Sequence, residues 1–171
     1  MTNFLKPLFP YLRNIAERGL SMAAFIFPFI EVISYFGPKV FLGTESTTLR
    51  NFYVGYLANI TNFYTSNNLL IFIFMVWIFI VCSRGSIPIS KYLRFNVIQA
   101  ILLNIICSCL GVIFNFLPIV LRESLIGTIF ANFIFLGVLL IIAYASLLII
   151  YRRYPRIPII SDAAKMQVQQ G

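Results

Sequence analysis

The chain has 171 residues, 60% of them hydrophobic and 11% charged, with a net charge of +8 and no histidine. That composition leaves no room for a soluble catalytic domain, and the missing histidine excludes imidazole general-base catalysis, Ser-His dyads and His-ligated zinc. Three stretches, Asn51–Ser83, Phe95–Leu121 and Ser124–Tyr151, contain no Lys, Arg, Asp or Glu, and each is long enough as a helix to cross the ~30 Å hydrocarbon core of a bilayer.

The expected fold is an all-α integral membrane protein, a single membrane domain over 1–171 with four transmembrane helices and an interfacial amphipathic helix between spans one and two. Residues 1–18 form an N-terminal tail. Pro7 and Pro10 interrupt it and charges run on to Arg18, so it does not read as a cleavable signal, nor as a long Ser- and Arg-rich transit peptide. Tyr11–Arg18 begins a helix whose Tyr11, Leu12 and Ile15 share a face suited to the membrane interface. Span one is expected at 19–36, stopped by Gly37-Pro38. Within it Ser21, Ala24, Pro28, Glu31 and Tyr35 recur every three or four residues and form one stripe.

The following linker is polar but patterned. Phe52, Tyr53, Tyr56, Leu57, Ile60, Phe63 and Tyr64 fall within an arc of ~140° at 100° per residue, the signature of an aromatic-faced helix at headgroup depth. Simple anchoring of span two is the plainer account of it. Span two is expected at 64–82. Its dense apolar part, Leu69–Cys82, gives only roughly 21 Å of helix, so Tyr64–Asn68 are needed to cross.

Gly85 and Pro88 mark a loop, and span three follows at 96–117. Only Arg122 and Glu123 separate it from span four at 124–151, so the two are expected to form a tight antiparallel hairpin. Arg152-Arg153 stop span four and open a C-terminal tail, 152–171. With four spans, ten basic residues fall on the side of the two termini and three on the other. The basic side stays where insertion begins, which places both termini there. This asymmetry explains the positive charge without a nucleic-acid partner.

Cys82, Cys107 and Cys109 are too few and too apolar in setting for a disulfide framework. Cys107 and Cys109 lie about 200° apart on a helix and cannot share a metal. No enzymatic site and no cofactor is expected. What stands out is a polar stripe on span three, where Asn96, Ala100, Asn104, Cys107, Ser108, Gly111 and Asn115 lie within a ~120° arc. Ser124, Gly127, Thr128, Ala131 and Asn132 are expected to face it across the hairpin. Such a stripe either packs helices through small residues and amides or lines a wet path, because amides facing lipid are costly. Glu31 is an acid within a span and hence a functional candidate, unless it snorkels to the interface. The candidate channel or helix-interface residues are therefore Glu31, Asn96, Asn104, Ser108, Asn115, Thr128 and Asn132. In the tail, Pro155 and Pro158 stop span four, and Ser161 or Asp162 is placed to cap a short helix over Ala163–Val168. Arg156, Ile157, Pro158, Ser161 and Asp162 either fold back onto the spans or form a docking segment.

Two long motifs carry a resemblance. One is Ser90-Lys91-Tyr92 followed by Arg94-Phe95-Asn96-Val97-Ile98-Gln99-Ala100-Ile101-Leu102-Leu103. The other runs from Pro155-Arg156-Ile157-Pro158-Ile159-Ile160 through Ser161-Asp162-Ala163-Ala164-Lys165-Met166-Gln167-Val168. Together with four spans, a proline-containing first span and an acid near its end, the chain from about Ala16 to Val168 resembles the twenty-kilodalton subunit family of the translocon at the inner envelope of chloroplasts (the Tic family). The resemblance implies a membrane subunit of a protein-import translocon, contributing to the protein-conducting channel and assembled with other translocon subunits and precursor proteins. It implies the plastid inner envelope, with both termini in the stroma. A plastid-encoded or cyanobacterial-type member is expected, the alternative membranes being the cyanobacterial plasma membrane or thylakoid. The polar, Thr- and Asn-rich linker departs from the family pattern. A small solute channel or transporter, or a non-conducting scaffold subunit, would fit the same spans. Four helices cannot enclose a lumen wide enough for a polypeptide, so the leading reading requires homo-oligomers or partner chains in the lipid bilayer.

Overall fold

A computed structural model describes residues 8–43, 46–85 and 89–169; residues 1–7 of the N-terminal tail, 44–45 of the linker, 86–88 of the loop with Pro88, and 170–171 of the C-terminal tail lie outside it. All regular structure among the described residues is helical, and its breaks have local causes. Helix α1 (Leu8–Ala24) passes into α2 (Ile26–Gly37) at Phe25. Pro28 has no N–H to offer Ala24, so the ladder slackens there and resumes.

The expected stop at Gly37-Pro38 does not occur. The chain absorbs the missing donor of Pro38 by widening into a π-helical turn over Pro38–Leu42. The first helical unit long and apolar enough to cross is therefore Arg13–Leu42, longer than the expected 19–36, and α1 runs through Tyr11–Arg18 without a break.

Helix α3 (Thr47–Phe52) continues through a second π turn (Tyr53–Leu57) into α4 (Ala58–Ser66). The wide turn shifts the helical phase, so the aromatic arc does not present one face. Tyr53 and Tyr64 are buried, whereas Phe52, Tyr56 and Phe63 are exposed. Span two is not the continuous helix expected over 64–82. The Asn67 backbone N–H donates to the Phe63 carbonyl (3.2 Å), and its side-chain amide donates to the same carbonyl (2.9 Å). Its own carbonyl starts the next helix by accepting from Ile71 N. The result is a bend of 76° between Thr47–Ser66 and Asn68–Arg84. Helix α5 (Asn68–Arg84) has 17 residues, ~25 Å of rise, at the lower limit for crossing. It ends on Gly85 at φ 64°, the left-handed cap that glycine takes without a Cβ penalty.

Helix α6 (Lys91–Phe116) starts earlier than expected because the Ser90 hydroxyl caps it, accepting from Leu93 N (3.3 Å). A short α7 (Ile119–Arg122) leads to α8 (Leu125–Ile150), capped by Ser124 accepting from Gly127 N (3.3 Å). The tail forms α9 (Ile160–Gln169). Arg13–Leu42, α6 and α8 are each long and apolar enough to cross a membrane, and the bent pair makes a fourth if counted as one span.

The hairpin expected between spans three and four is not closed face to face. Helix α2 lies between α6 and α8 and packs against both. The core follows that arrangement, with Val32, Ile33 and Phe36 meeting Ala100, Leu103 and Cys107 on one side and Ala131, Phe135 and Val138 on the other. The approach of α2 to α6 is so close that a Cβ on Gly111 would fall 2.2 Å from the Tyr35 ring. This is why α6 places small residues on that face. Helix α5 stands at the edge of the bundle against α6, α4 and α9, and a second small cluster of Cys82, Phe95, Ile98 and Ala164 ties these elements together.

Candidate functional site

The polar residues of α6 separate into two groups along its length. At the end that carries most of the basic residues, the Arg94 side chain is buried and donates to the carbonyls of Cys82 (Nε, 2.5 Å) and Ser83 (Nη2, 2.9 Å). A cation there satisfies the last, otherwise unpaired carbonyls of α5. Asn96, fully buried, donates from Nδ2 to Tyr92 O (3.0 Å) and Ser21 Oγ (3.4 Å), linking α6 to α1. Gln99 holds the tail: its Nε2 donates to Pro155 O (3.0 Å) and to Ser161 Oγ (2.7 Å). Ser161 Oγ also accepts from Ile157 N (2.6 Å) and donates to Pro155 O (3.2 Å). Tyr154 stands edge-on to Tyr92 and Phe95.

This clasp holds Ile159 at φ 67°, a strained conformation for a β-branched residue. Of the candidate docking residues, Ile157 and Ser161 are buried in the clasp, while Arg156, Pro158 and Asp162 are exposed. Ser161 does not serve as the expected cap of a helix beginning at Ala163. It binds backward, and the helix starts at Ile160. Gln99 was missed by the sequence reading because it lies off the arc of the stripe. An amide interrupting an apolar run was the available signal.

The second group lies deeper in the span. Glu31 on α2 is 4% exposed and accepts a hydrogen bond from the Ser108 hydroxyl on α6. The buried Tyr64 hydroxyl and Asn104 Oδ1 have no hydrogen-bond partner, and Glu31 and Asn104 are the polar neighbours of that hydroxyl. Glu31, Asn104 and Ser108 border a cavity of ≈ 730 Å³ between α5 and the α2/α6 pair, and Tyr64 lines a smaller one next to it. The α2/α6 wall carries Glu31, Tyr35, Asn104 and Ser108 among the apolar Ile101, Leu102, Ile105 and Val112; the α5 wall is apolar apart from Asn68, with Leu69, Phe72, Met75, Val76 and Phe79. Leu69, Phe72 and Ile105 are exposed, so the cavity is a groove open at the side of the bundle. It closes toward the basic end, where Arg94 and the Cys82 cluster hold α5 to α6.

Two smaller cavities continue the polar wall. One of ≈ 190 Å³ is bordered by Glu31, Ser34, Tyr64, Thr65, Asn68 and Asn115. The next, ≈ 380 Å³, is bordered by Ser34, Tyr35, Asn115, Lys39, Arg122 and Glu123. Glu31, Tyr35, Ser34 and Asn115 are shared between neighbours, so a polar seam runs from mid-span to the end opposite the basic one. There Lys39 Nζ donates to Glu123 Oε2 at 2.5 Å, and Arg122 stands 3.8 Å from the same carboxylate. The hydrogen bond from Lys39, with Arg122 adding, holds the Glu123 carboxyl below its usual range.

The stripe residues thus go to three places: Asn96 to the α1 contact, Asn104 and Ser108 to the groove, and exposed Asn115 to the outer cavities. Thr128 and Asn132 do not face the stripe. Their side chains donate to Ser124 O (3.2 Å) and Thr128 O (3.0 Å) within α8 itself, because α2 occupies the place expected for α6. No group of three His, Cys, Asp or Glu residues that could hold a metal exists among the described residues.

Comparison with known proteins gives a single family. The profile described as "Chloroplast import apparatus Tic20-like" matches residues 8–164. A protein named "Tic20 family protein Ycf60" from Cyanidium caldarium is 32% identical over 154 residues, 90% of this chain and 74% of the relative. One of the same name from Gracilaria tenuistipitata var. liui is 33% identical over 157 residues, covering 91% and 76%. A "Tic20 family protein" from Synechocystis is 30% identical over 154 residues, covering 90% and 93%. No solved structure matches the chain.

Proposed function

Since the chain belongs to the Tic20-like family of the chloroplast import apparatus, and so to the membrane components of a protein-import translocon, we propose that it contributes one wall of the protein-conducting path. The observation that carries this reading is the groove beside α5. It has an apolar wall, a polar wall led by Glu31, Asn104 and Ser108, and an open side. A polypeptide in transit needs both kinds of surface, since its backbone must keep polar partners while its side chains vary. The open side is where a second copy or another subunit would complete the enclosure that four helices cannot form alone. The basic end, with Arg84, Lys91, Arg94 and the tail arginines, faces the stroma in this reading, and the Lys39–Glu123 end faces the intermembrane space. The membrane is the plastid inner envelope, or the plasma membrane or thylakoid in a cyanobacterial setting.

A native thiol tests the reading. Cys109 is exposed and borders the groove, whereas Cys107 and Cys82 are buried. A precursor arrested in transit and carrying single cysteines along its length forms a disulfide with Cys109, and the cross-link disappears in Cys109→Ser. Purification in mild detergent brings down translocon partners with it. A lone chain that conducts small ions and never cross-links to the arrested precursor would replace this reading with a solute channel; a lone chain that neither conducts nor cross-links would leave a scaffold.

A further inference from the structure

We propose that Glu31 is the receptor for a basic side chain, a lysine ammonium or arginine guanidinium, carried by a polypeptide segment lying in the groove between α5 and α6. The proposal rests on the translocon reading for the nature of the ligand and on the groove itself for its charge.

Glu31 is a buried acid inside a spanning helix with no cation of its own. None of the ion pairs among the described residues includes it, and Lys39, the cation on the same spanning unit nearest in sequence, is held by Glu123. An acid at this depth is sustained by a partner, and the polar groups beside it, the Ser108 hydroxyl that donates to it and the nearby Tyr64 hydroxyl, are neutral. The other polar group of that wall points the same way. Asn104 Oδ1 is buried without a hydrogen-bond partner, and Asn104 lines the same groove. The Ser108 and Tyr64 hydroxyls give one proton each and carry no charge, so what completes a wall that holds a carboxylate is a cationic donor. An ammonium brings three donors and a guanidinium five.

The apolar wall selects how that group arrives. Leu69, Phe72 and Val76 stand opposite Glu31, a surface along which the methylene stem of lysine or arginine lies while its head reaches the carboxylate. A bare metal ion would leave those side chains unused and would find one carboxylate where it needs several. The open side admits a chain segment from the bilayer or from a neighbouring subunit, which an enclosed cavity for a small amine would not.

The test uses the full chain in nanodiscs of zwitterionic lipid, with empty nanodiscs subtracted. The probe is a fluorescent 20-residue peptide of alternating apolar and uncharged polar residues with one central lysine; its control is the same peptide with that lysine acetylated. The lysine peptide is expected to bind about tenfold or more tightly than the acetylated one, the effect of a charge-assisted hydrogen bond. Glu31→Gln should bring the two together. Equal affinities on the unmodified protein overturn the proposal without recourse to any variant, and so does a preference that survives Glu31→Gln in protein with unchanged melting and chromatographic behaviour. The arrested-precursor cross-link to Cys109 separates this proposal from the reading beneath it. Cross-linking in the absence of any lysine preference sinks the receptor role alone, whereas absence of cross-linking in every register sinks both.

Discussion

The two halves of α6 carry similar numbers of amides and hydroxyls and use them in opposite ways. At the basic end, Asn96 and Gln99 direct their N–H groups to acceptors elsewhere in this chain, on α1 and the tail, and Arg94 closes the end of α5. Unpaired oxygens occur there too, Asn96 Oδ1 and Gln99 Oε1, but they are enclosed and border none of the cavities along the seam. In the middle of the helix, Asn104 and Ser108 face a groove together with Glu31, an acid in none of the ion pairs among the described residues. The difference teaches that a polar residue in a span identifies a site only when its unmet hydrogen bonding opens onto space. The same residue types with partners in the fold are fasteners.

The severest way to break the comparison is to remove the fastener. Truncation after Tyr154 deletes the clasp partners of Gln99 and the Ala164 contact that covers Cys82. In a background with Cys107→Ala and Cys109→Ala, Cys82 labelling by a maleimide should rise about tenfold or more, because modification of a buried thiol requires local opening. The candidate spanning helices all lie before Tyr154, so the truncated chain should still insert. Unchanged protection of Cys82 would show that Arg94 and the Phe95 and Ile98 contacts hold α5 to α6 without the tail.

Gly111→Ala should come next. Its Cβ would land on the Tyr35 ring, forcing apart the α2–α6 contact that sets the distance between Glu31 and Ser108. Overpacking of this kind costs about 1–3 kcal/mol, read as a lowered melting temperature in detergent. A fully tolerated alanine would mean that α2 does not sit as close to α6 as described.

A matched pair sharpens the contrast further. Gln99→Leu should lose about 0.6–2 kcal/mol, the range for interhelical hydrogen bonds in membranes, because it frees Pro155 O and Ser161 Oγ together. Asn104→Leu should be close to neutral in stability, since the Oδ1 it removes has no partner to lose, while cross-linking of an arrested precursor to Cys109 falls. Equal destabilisation by the two substitutions would erase the distinction between fastener and site.

Much of this was legible in the sequence, and the misses have physical causes. Charge-free runs reveal spans because hydrocarbon excludes charge, and helical spacing placed Asn104 and Ser108 on one face. Periodicity cannot say what that face meets. Short connection lengths favoured α8 as the neighbour, yet α2 took the place because Gly111 lets Tyr35 approach where a larger residue would not. The end of span one was misjudged because proline was read as a stop, whereas a π turn carried the helix past Pro38. At the bend, Asn67 closes one helix with its backbone N–H and side-chain amide and opens the next with its carbonyl, a local event that hydropathy does not register. The partnership of Gln99 with Ser161 spans 62 residues, and no spacing rule reaches that far.

The smallest expected effect sets Glu31 against the other acid of the seam. Glu123 has the cation that Glu31 lacks, with Lys39 Nζ 2.5 Å from its carboxylate. The hydrogen bond from Lys39 lowers the carboxyl below its ordinary value of 4.5. A group whose folded value is depressed stabilises the fold above its unfolded pKa and loses that contribution as the pH falls through the folded one. The melting-temperature difference between the unmodified chain and Glu123→Gln should therefore be full at neutral pH, begin to fall below about pH 4.5, and vanish in stronger acid. It should also shrink with added salt, since this side chain is well exposed and the Debye length is about 10 Å at 0.1 M. A difference that instead grew on acidification would mean that Glu123 is not held ionised by Lys39, leaving that cation free for the acid farther down the seam.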